Sequence, residues 1–249
     1  MIRYQKSAGA AKVVSEPQLR QEMVRVGLSM WQQGLVAGTD GNMSARLSRD
    51  LFLCTPSGFS KGRLRPEQLL VVDGQGRPLD RASTRSRGLR PSSEMLMHLE
   101  AYRQRPDIGA VVHAHPPTVV ALSIAGVSLA QCLLPEVILG FFLIPTTGYA
   151  TPASDEGVGQ ISEFIGRYDA LVLQRHGSLS VGSTLEDAYL KLEKMEHVAR
   201  VTQTLVQLGV NSPLPPGEIS KLVRWRREQG MMQQGHDEDL CRACGVCRS

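Results

Sequence analysis

The chain has 249 residues, enough for one sizeable core or two small domains, and its 42% hydrophobic and 21% charged content is that of an ordinary globular protein. A net charge of only +4 with 5% aromatic residues argues against the clustered basic, ring-bearing surface of a nucleic-acid binder. No apolar run approaches the ~20 residues of a membrane helix, and the opening MIRYQKSAGAAKVV lacks a signal core, so the expectation is a cytoplasmic protein with neither nucleic-acid nor membrane partners.

In chain order, residues 1–16 read as a flexible leader. PQLRQEMVRVGLSMWQQGL then reads as a helix, with Leu19, Met23, Val26 and Met30 spaced by three and four and Pro17 in the first turn. GTDGNMS interrupts it. Short strands ARLS and LFLCT follow, then the turn TPSG, and RPEQLLVVD as a short helix entering a strand. The Arg-rich RASTRSRGLR, residues 81–90, reads as a loop that is either a solvated face or an attractor of small anions.

A second helix is expected from PSSEMLMHLEAYRQRP, capped by Ser92 or Ser93 with Glu94 in its first turn. IGAVVHAHP reads as a buried strand, PPTVVALSIAG as a helix, ASDEGVGQISEFIGRY as helical and DALVLQRHGSLSVG as a strand pair. A long helix follows Thr184, with Asp187 completing its start. Helices alternating with short strands, without repeat or linker, describe one α/β domain over residues 17–230. Residues 231–249 show no helical or strand period and read as a flexible, Cys-rich tail.

Cys54 and Cys132 lie in apolar contexts and are expected to fill core space. Cys241, Cys244 and Cys247 crowd the tail, and the odd total of five without a signal segment suggests a reduced setting. Their C-x-x-C-x-x-C spacing, with His236 upstream, offers either a flexible redox-sensitive tail or a second metal site.

VVHAHPPTVV carries the chemistry. Residues two apart on a strand share a face, so His113 and His115 can reach one ion, and Pro116 and Pro117 place them at the strand's exit. His176, where another apolar strand meets a glycine turn, can supply a third imidazole. Glu94 is a candidate fourth ligand that an arriving substrate releases to act as a base. Each has a plainer reading as a core, turn or helix-end residue, and His98 and His197 are read as structural and surface residues. Thr39, Asn42, Ser57, Gly58, Ser92 and Ser93 provide hydroxyls, an amide and backbone N–H groups suited to a phosphate without a P-loop lysine.

Taken together, GTDGNMS, TPSG, PSSE, VVHAHP and LQRHG resemble the class II aldolase/adducin family, in particular its bacterial L-fuculose-1-phosphate aldolase branch. The resemblance spans roughly residues 17–230 and implies a three-layer α/β/α fold with a predominantly antiparallel central sheet. It implies zinc, or manganese or cobalt, on His113, His115 and His176, with Glu94 as resting ligand and proton shuttle. It assigns Thr39, Asn42, Ser57, Gly58, Ser92 and Ser93 to the substrate phosphate, and it implies a homotetramer with its sites at subunit boundaries.

The implied activity is cleavage of a ketose 1-phosphate to dihydroxyacetone phosphate and an aldehyde. The same fold also serves ribulose-5-phosphate 4-epimerases, methylthioribulose-1-phosphate dehydratases, phosphotetronate decarboxylases and non-enzymatic adducin heads. Two departures from the fuculose branch stand out: Leu134 and Gln229 occupy positions where that branch carries tyrosines, the first a proton donor. Glu136 or a water is the candidate substitute. An apolar Leu134 suits a deoxy or methylthio substrate end.

Overall fold

The computed structural model describes residues 15–79 and 88–245. Most of the expected leader and of the Arg-rich loop therefore lies outside the described residues. Among the described residues, six strands form one sheet: β1 (Asn42–Ser48), β2 (Leu51–Cys54), β3 (Leu70–Asp73), β4 (Ala110–Ala114), β5 (Ala170–Leu173) and β6 (Gly177–Gly182). Their order is β3-β2-β1-β4-β6-β5, and every ladder between them is antiparallel.

Alternation along the strands gives the sheet two buried faces. Val112 and Ala114 of β4, Met43 of β1 and Leu53 of β2 pack against α1 (Glu16–Gln32) and the first turns of α6 (Leu185–Gln207). Val111, Phe52, Leu179 and Val181 point the other way, toward α2 (Met95–Gln104), α5 (Asp155–Ser162) and α7 (Pro216–Glu228). Each large apolar side chain sealed in these layers contributes about 1.5–3 kcal/mol. A third cluster joins α3 (Pro117–Ala125) and α4 (Pro135–Gly140) to β5 and the middle of α6. This is the expected three-layer α/β/α arrangement with a central antiparallel sheet.

Helix starts follow local chemistry. The Thr184 hydroxyl accepts from the Asp187 N–H at 3.1 Å and caps α6 as expected. Helix α2 differs: neither serine caps it, and Glu94 itself is the N-cap residue, with φ −93° and ψ 9°. The Ser92 hydroxyl instead accepts from the Glu94 N–H at 3.3 Å, leaving the Glu94 side chain free to point inward.

The C-terminal segment corrects the expectation of an unstructured tail. His236–Cys244 forms helix α8, Leu240 is buried, and the His236 ring stacks on Phe142 with centroids 4.1 Å apart. Asp239 receives the Tyr168 hydroxyl and the Arg167 guanidinium. Cys132 is buried as expected, yet it is not a free thiol: it pairs with Cys244 in a disulfide across 112 residues. Cys241 is also disulfide-bonded, and Cys247 lies outside the described residues. The inward face of α8 was hidden because a histidine and a cysteine, rather than aliphatic residues, carry its four-residue period with Leu240. Cys54 is free and buried.

Candidate metal centre and phosphate pocket

His113, His115, His176, Glu94 and Asn42 converge at one end of the central strands. Antiparallel pairing sets Asn42, at the start of β1, opposite His113, near the end of β4. Ala114 lies opposite Ser178 at the start of β6, so the turn before β6 carries His176 to the same edge. Gly177 permits this approach, since a Cβ there would lie 2.3 Å from the Ala114 oxygen and 2.8 Å from His115 Cδ2. Gly41, at φ +72°, has a related role beneath β4: an added Cβ would lie 2.9 Å from the His113 oxygen.

His113 is fully buried. Its Nδ1–H donates to the Ser178 carbonyl at 2.8 Å, which leaves the Nε2 lone pair free. That Nε2 lies 3.0 Å from His115 Nε2, and the His176 ring centroid is 4.8 Å from that of His113 and 4.9 Å from that of His115. One nitrogen from each of the three rings lies within 4.8 Å of the others. Facing imidazole nitrogens satisfy one another poorly, and an ion between them satisfies all three. The donor set therefore fits a divalent transition metal.

Glu94 sits across this cluster, with Oε2 3.3 Å from His113 Nε2 and Oε1 3.2 Å from His176 Nε2. The Asn42 amide donates to Glu94 Oε2 at 2.8 Å, while Asn42 Oδ1 is buried without a partner. On the outer side, Asp40 Oδ2 approaches His115 Nδ1 at 3.5 Å.

Electrostatics favour the ligating forms. Burial pushes His113 down to about 3, against the pull of Glu94, so its imidazole is neutral near physiological pH. Burial also lowers His115, helped by His176. Burial would raise Glu94, but the His176 hydrogen bond, the close imidazoles of His113 and His176, and the Asn42 amide together hold it below the usual carboxylate range. Its place at the N-terminus of α2 adds to this.

The two glycine turns lie against the same edge. The Ser57 N–H donates to the Arg90 carbonyl at 2.8 Å, and Pro56 bridges Pro91, which docks the 55–58 turn on the Ser92–Ser93 segment. The Lys61 ammonium donates to the carbonyls of Thr39 at 2.7 Å and Phe59 at 2.6 Å, joining the 38–42 turn to the same assembly. Lys61 and Asp40 escaped the sequence reading. Asp40 lies inside the glycine turn already singled out, whereas a lone lysine after TPSGFS carries no sign of burial.

A cavity opens beside Ser93, Glu94 and His176, with Leu96, Met97, Val158 and Leu173 among its apolar walls and Thr147, Gln160 and Gln174 among its polar ones. Neither phenol position, Leu134 or Gln229, nor the candidate substitute Glu136 lines this cavity. Leu134 is the N-cap of α4 and packs into the third cluster, Glu136 is exposed, and Gln229 ends α7.

The profile of the Class II Aldolase and Adducin N-terminal domain matches residues 21–203. The chain belongs to this family. It is 31% identical over 211 residues to the 3-oxo-tetronate 4-phosphate decarboxylase of Escherichia coli K12, covering 83% of this chain and 96% of that protein. It is 32% identical over 192 residues to a 5-methylthioribulose-1-phosphate/5-deoxyribulose-1-phosphate aldolase from another Escherichia coli strain, covering 77% and 83%. Among solved structures, YgbL of Klebsiella pneumoniae superimposes with a TM-score of 0.74 at 31% identity, over 84% of this chain and 99% of that one. Relatives named as decarboxylases and as aldolases match comparably, so the fuculose branch is not singled out.

Family, fold and the three-histidine cluster together support a metal-dependent enzyme that processes sugar phosphates. Among the described residues, no helix is long and apolar enough to cross a membrane.

Proposed function

We propose that the chain decarboxylates a phosphorylated 3-oxo sugar acid, of which 3-oxo-tetronate 4-phosphate is the type, releasing carbon dioxide and dihydroxyacetone phosphate. The observation that carries this reading is the shortage of proton-transfer groups at the cavity. Among the described residues of one chain, Glu94 is the one carboxylate lining the cavity, and no phenol lines it. Retro-aldol cleavage needs two transfers, one off the departing hydroxyl and one onto carbon. Loss of a β-oxo carboxylate needs only the second. The four-carbon acid phosphate of the matched decarboxylase supports the same substrate class.

The chain's residues then take the following parts. The glycine turns and Ser57, Ser92 and Ser93 anchor the phosphate and set the ketone toward the three histidines. A divalent ion held by His113, His115 and His176 would supply Lewis-acid stabilisation of the charge that develops on the ketone oxygen. As the carboxylate leaves, its bonding electrons pass into the enediolate. Asn42 orients Glu94, which takes up a proton from solvent and passes it to the enediolate carbon, completing the new C–H bond. Neutral imidazoles in this number suit zinc, with manganese or cobalt as competitors. By analogy with the family, the working form is a homotetramer.

A second reading rests on the apolar walls formed by Leu96, Met97, Val158 and Leu173. They suit a methylthio or deoxy end, as on the substrates named for the matched aldolase. The deciding experiment offers the metal-loaded protein 3-oxo-tetronate 4-phosphate, 5-methylthioribulose 1-phosphate, L-fuculose 1-phosphate and ribulose 5-phosphate, with products identified by mass. Metal-dependent carbon dioxide equal to dihydroxyacetone phosphate supports the decarboxylase. Methylthioacetaldehyde from the second substrate would replace it with the aldolase, and a dehydrated or epimerised product with the remaining alternatives.

A further inference from the structure

Lys61 is 2% exposed, and its ammonium touches two backbone carbonyls, Thr39 O at 2.7 Å and Phe59 O at 2.6 Å, but no carboxylate among the described residues. An ammonium has three N–H donors, so two neutral acceptors leave one donor and the full charge unmatched. Withdrawing such a charge from water costs several kcal/mol, and carbonyls alone recover only part of it. A purely structural clamp would be made with less loss by an uncharged side chain.

The placement is nonetheless rigid. A Cβ on Gly27 of α1 would lie 2.7 Å from the Lys61 oxygen, and one on Gly62 would lie 2.5 Å from Trp31 Cγ. Two glycines thus let the 61–63 turn press against α1, which holds the lysine between the two loops assigned to the phosphate. The nearest acids, Asp40 and Glu94, favour its protonated form, while burial lowers its pKa to about 8.

We propose that Lys61 is a positioning residue of the phosphate pocket: its ammonium clamps the Thr39 and Phe59 carbonyls so that both glycine turns face a phosphomonoester, and its unpaired charge gives the pocket its preference for a dianion. The inference rests on the phosphate-pocket reading above and extends it to a residue outside the glycine and serine set. It also explains how a pocket without a P-loop lysine acquires a fixed positive charge.

The test is calorimetric titration of the full-length, metal-loaded protein with inorganic phosphate at neutral pH, with metal content and melting temperature measured in parallel. Lys61→Met should weaken phosphate binding about tenfold or more, with metal content unchanged, and Lys61→Arg should restore most of the loss. Unchanged affinity in a folded Lys61→Met overturns the proposal. Loss of binding in Ser57→Ala alongside retention in Lys61→Met would keep the pocket and remove Lys61 from it. Wild-type protein that ignores phosphate would overturn both. Should Lys61→Met fail to fold, sulfate provides a second measurement, because its charge is constant with pH. Wild-type sulfate affinity should fall as pH rises through about 8, and affinity that stays constant through that range overturns the role of the charge.

Discussion

Glu94 and His113 divide the proposed chemistry between them, and substitution should separate their parts. Glu94→Gln keeps the side-chain volume and an acceptor oxygen but cannot carry a proton. We expect turnover to fall about 10²–10⁴-fold with near-normal metal content, measured by steady-state kinetics beside elemental analysis. His113→Ala removes a buried ring and its bond to Ser178, so the metal itself should be lost. A variant that retains stoichiometric metal would show that His115 and His176 suffice. The histidines and Glu94 were legible in sequence because strand alternation and turn placement constrain where such side chains point. Lys61 was not, because nothing local distinguishes a lysine whose ammonium will be held by a carbonyl 22 residues earlier in the chain.

At the level of elements, the site depends on how closely β6 approaches β4. Gly177→Ala would force a Cβ against the Ala114 oxygen at 2.3 Å. The neighbouring strand is backbone and cannot swing aside, so the ladder must part beneath His115. We expect a loss of about 1–3 kcal/mol in denaturant unfolding together with weakened metal binding. A stable variant with full metal occupancy would contradict the close approach. Helix α8 offers a separate test. Its disulfide closes a long loop across 112 residues, and cross-links of that kind are worth about 2–4 kcal/mol. Cys244→Ser, or reduction of the wild type, should lower the melting temperature while leaving the metal site intact, as followed by calorimetry and metal analysis. Long amphipathic elements such as α1 and α6 were readable from aliphatic spacing alone. The face of α8 was not, since its inward residues are polar by type and become buried through stacking on Phe142 and pairing with Cys132.

Across the whole molecule, buried histidines link stability to pH. Burial lowers His98 to about 4 and His113 to about 3. His98 shares a 2.7 Å hydrogen bond with Ser44 inside the core. In the unfolded chain both would take up protons near pH 6.5. Above that pH both are neutral in either state and contribute no slope. As pH falls from about 6.5 toward 4, the unfolded state binds more protons, so stability declines by about 1.4 kcal/mol per pH unit for each histidine. Metal-free protein should therefore show a falling urea midpoint over that window, and a flat profile would mean that neither histidine is held neutral. Metal removal at constant pH should itself lower the melting temperature, because an ion that binds only the folded state stabilises it by mass action.

Sequence alone determined the order of the main elements, the three imidazoles and the acid that accompanies them, since periodicity, turn residues and side-chain chemistry are local properties. The loops and strands were readable one at a time, and so was the segment count that makes an α/β domain. Tertiary structure decided the rest. Antiparallel pairing sets Asn42 opposite His113 and brings His176 to the same sheet edge. Folding also turned an apparent tail into a packed helix and buried Lys61 between two turns. In each case the deciding term is what surrounds the residue. Burial and distance depend on segments far away in the chain, and no local pattern encodes them.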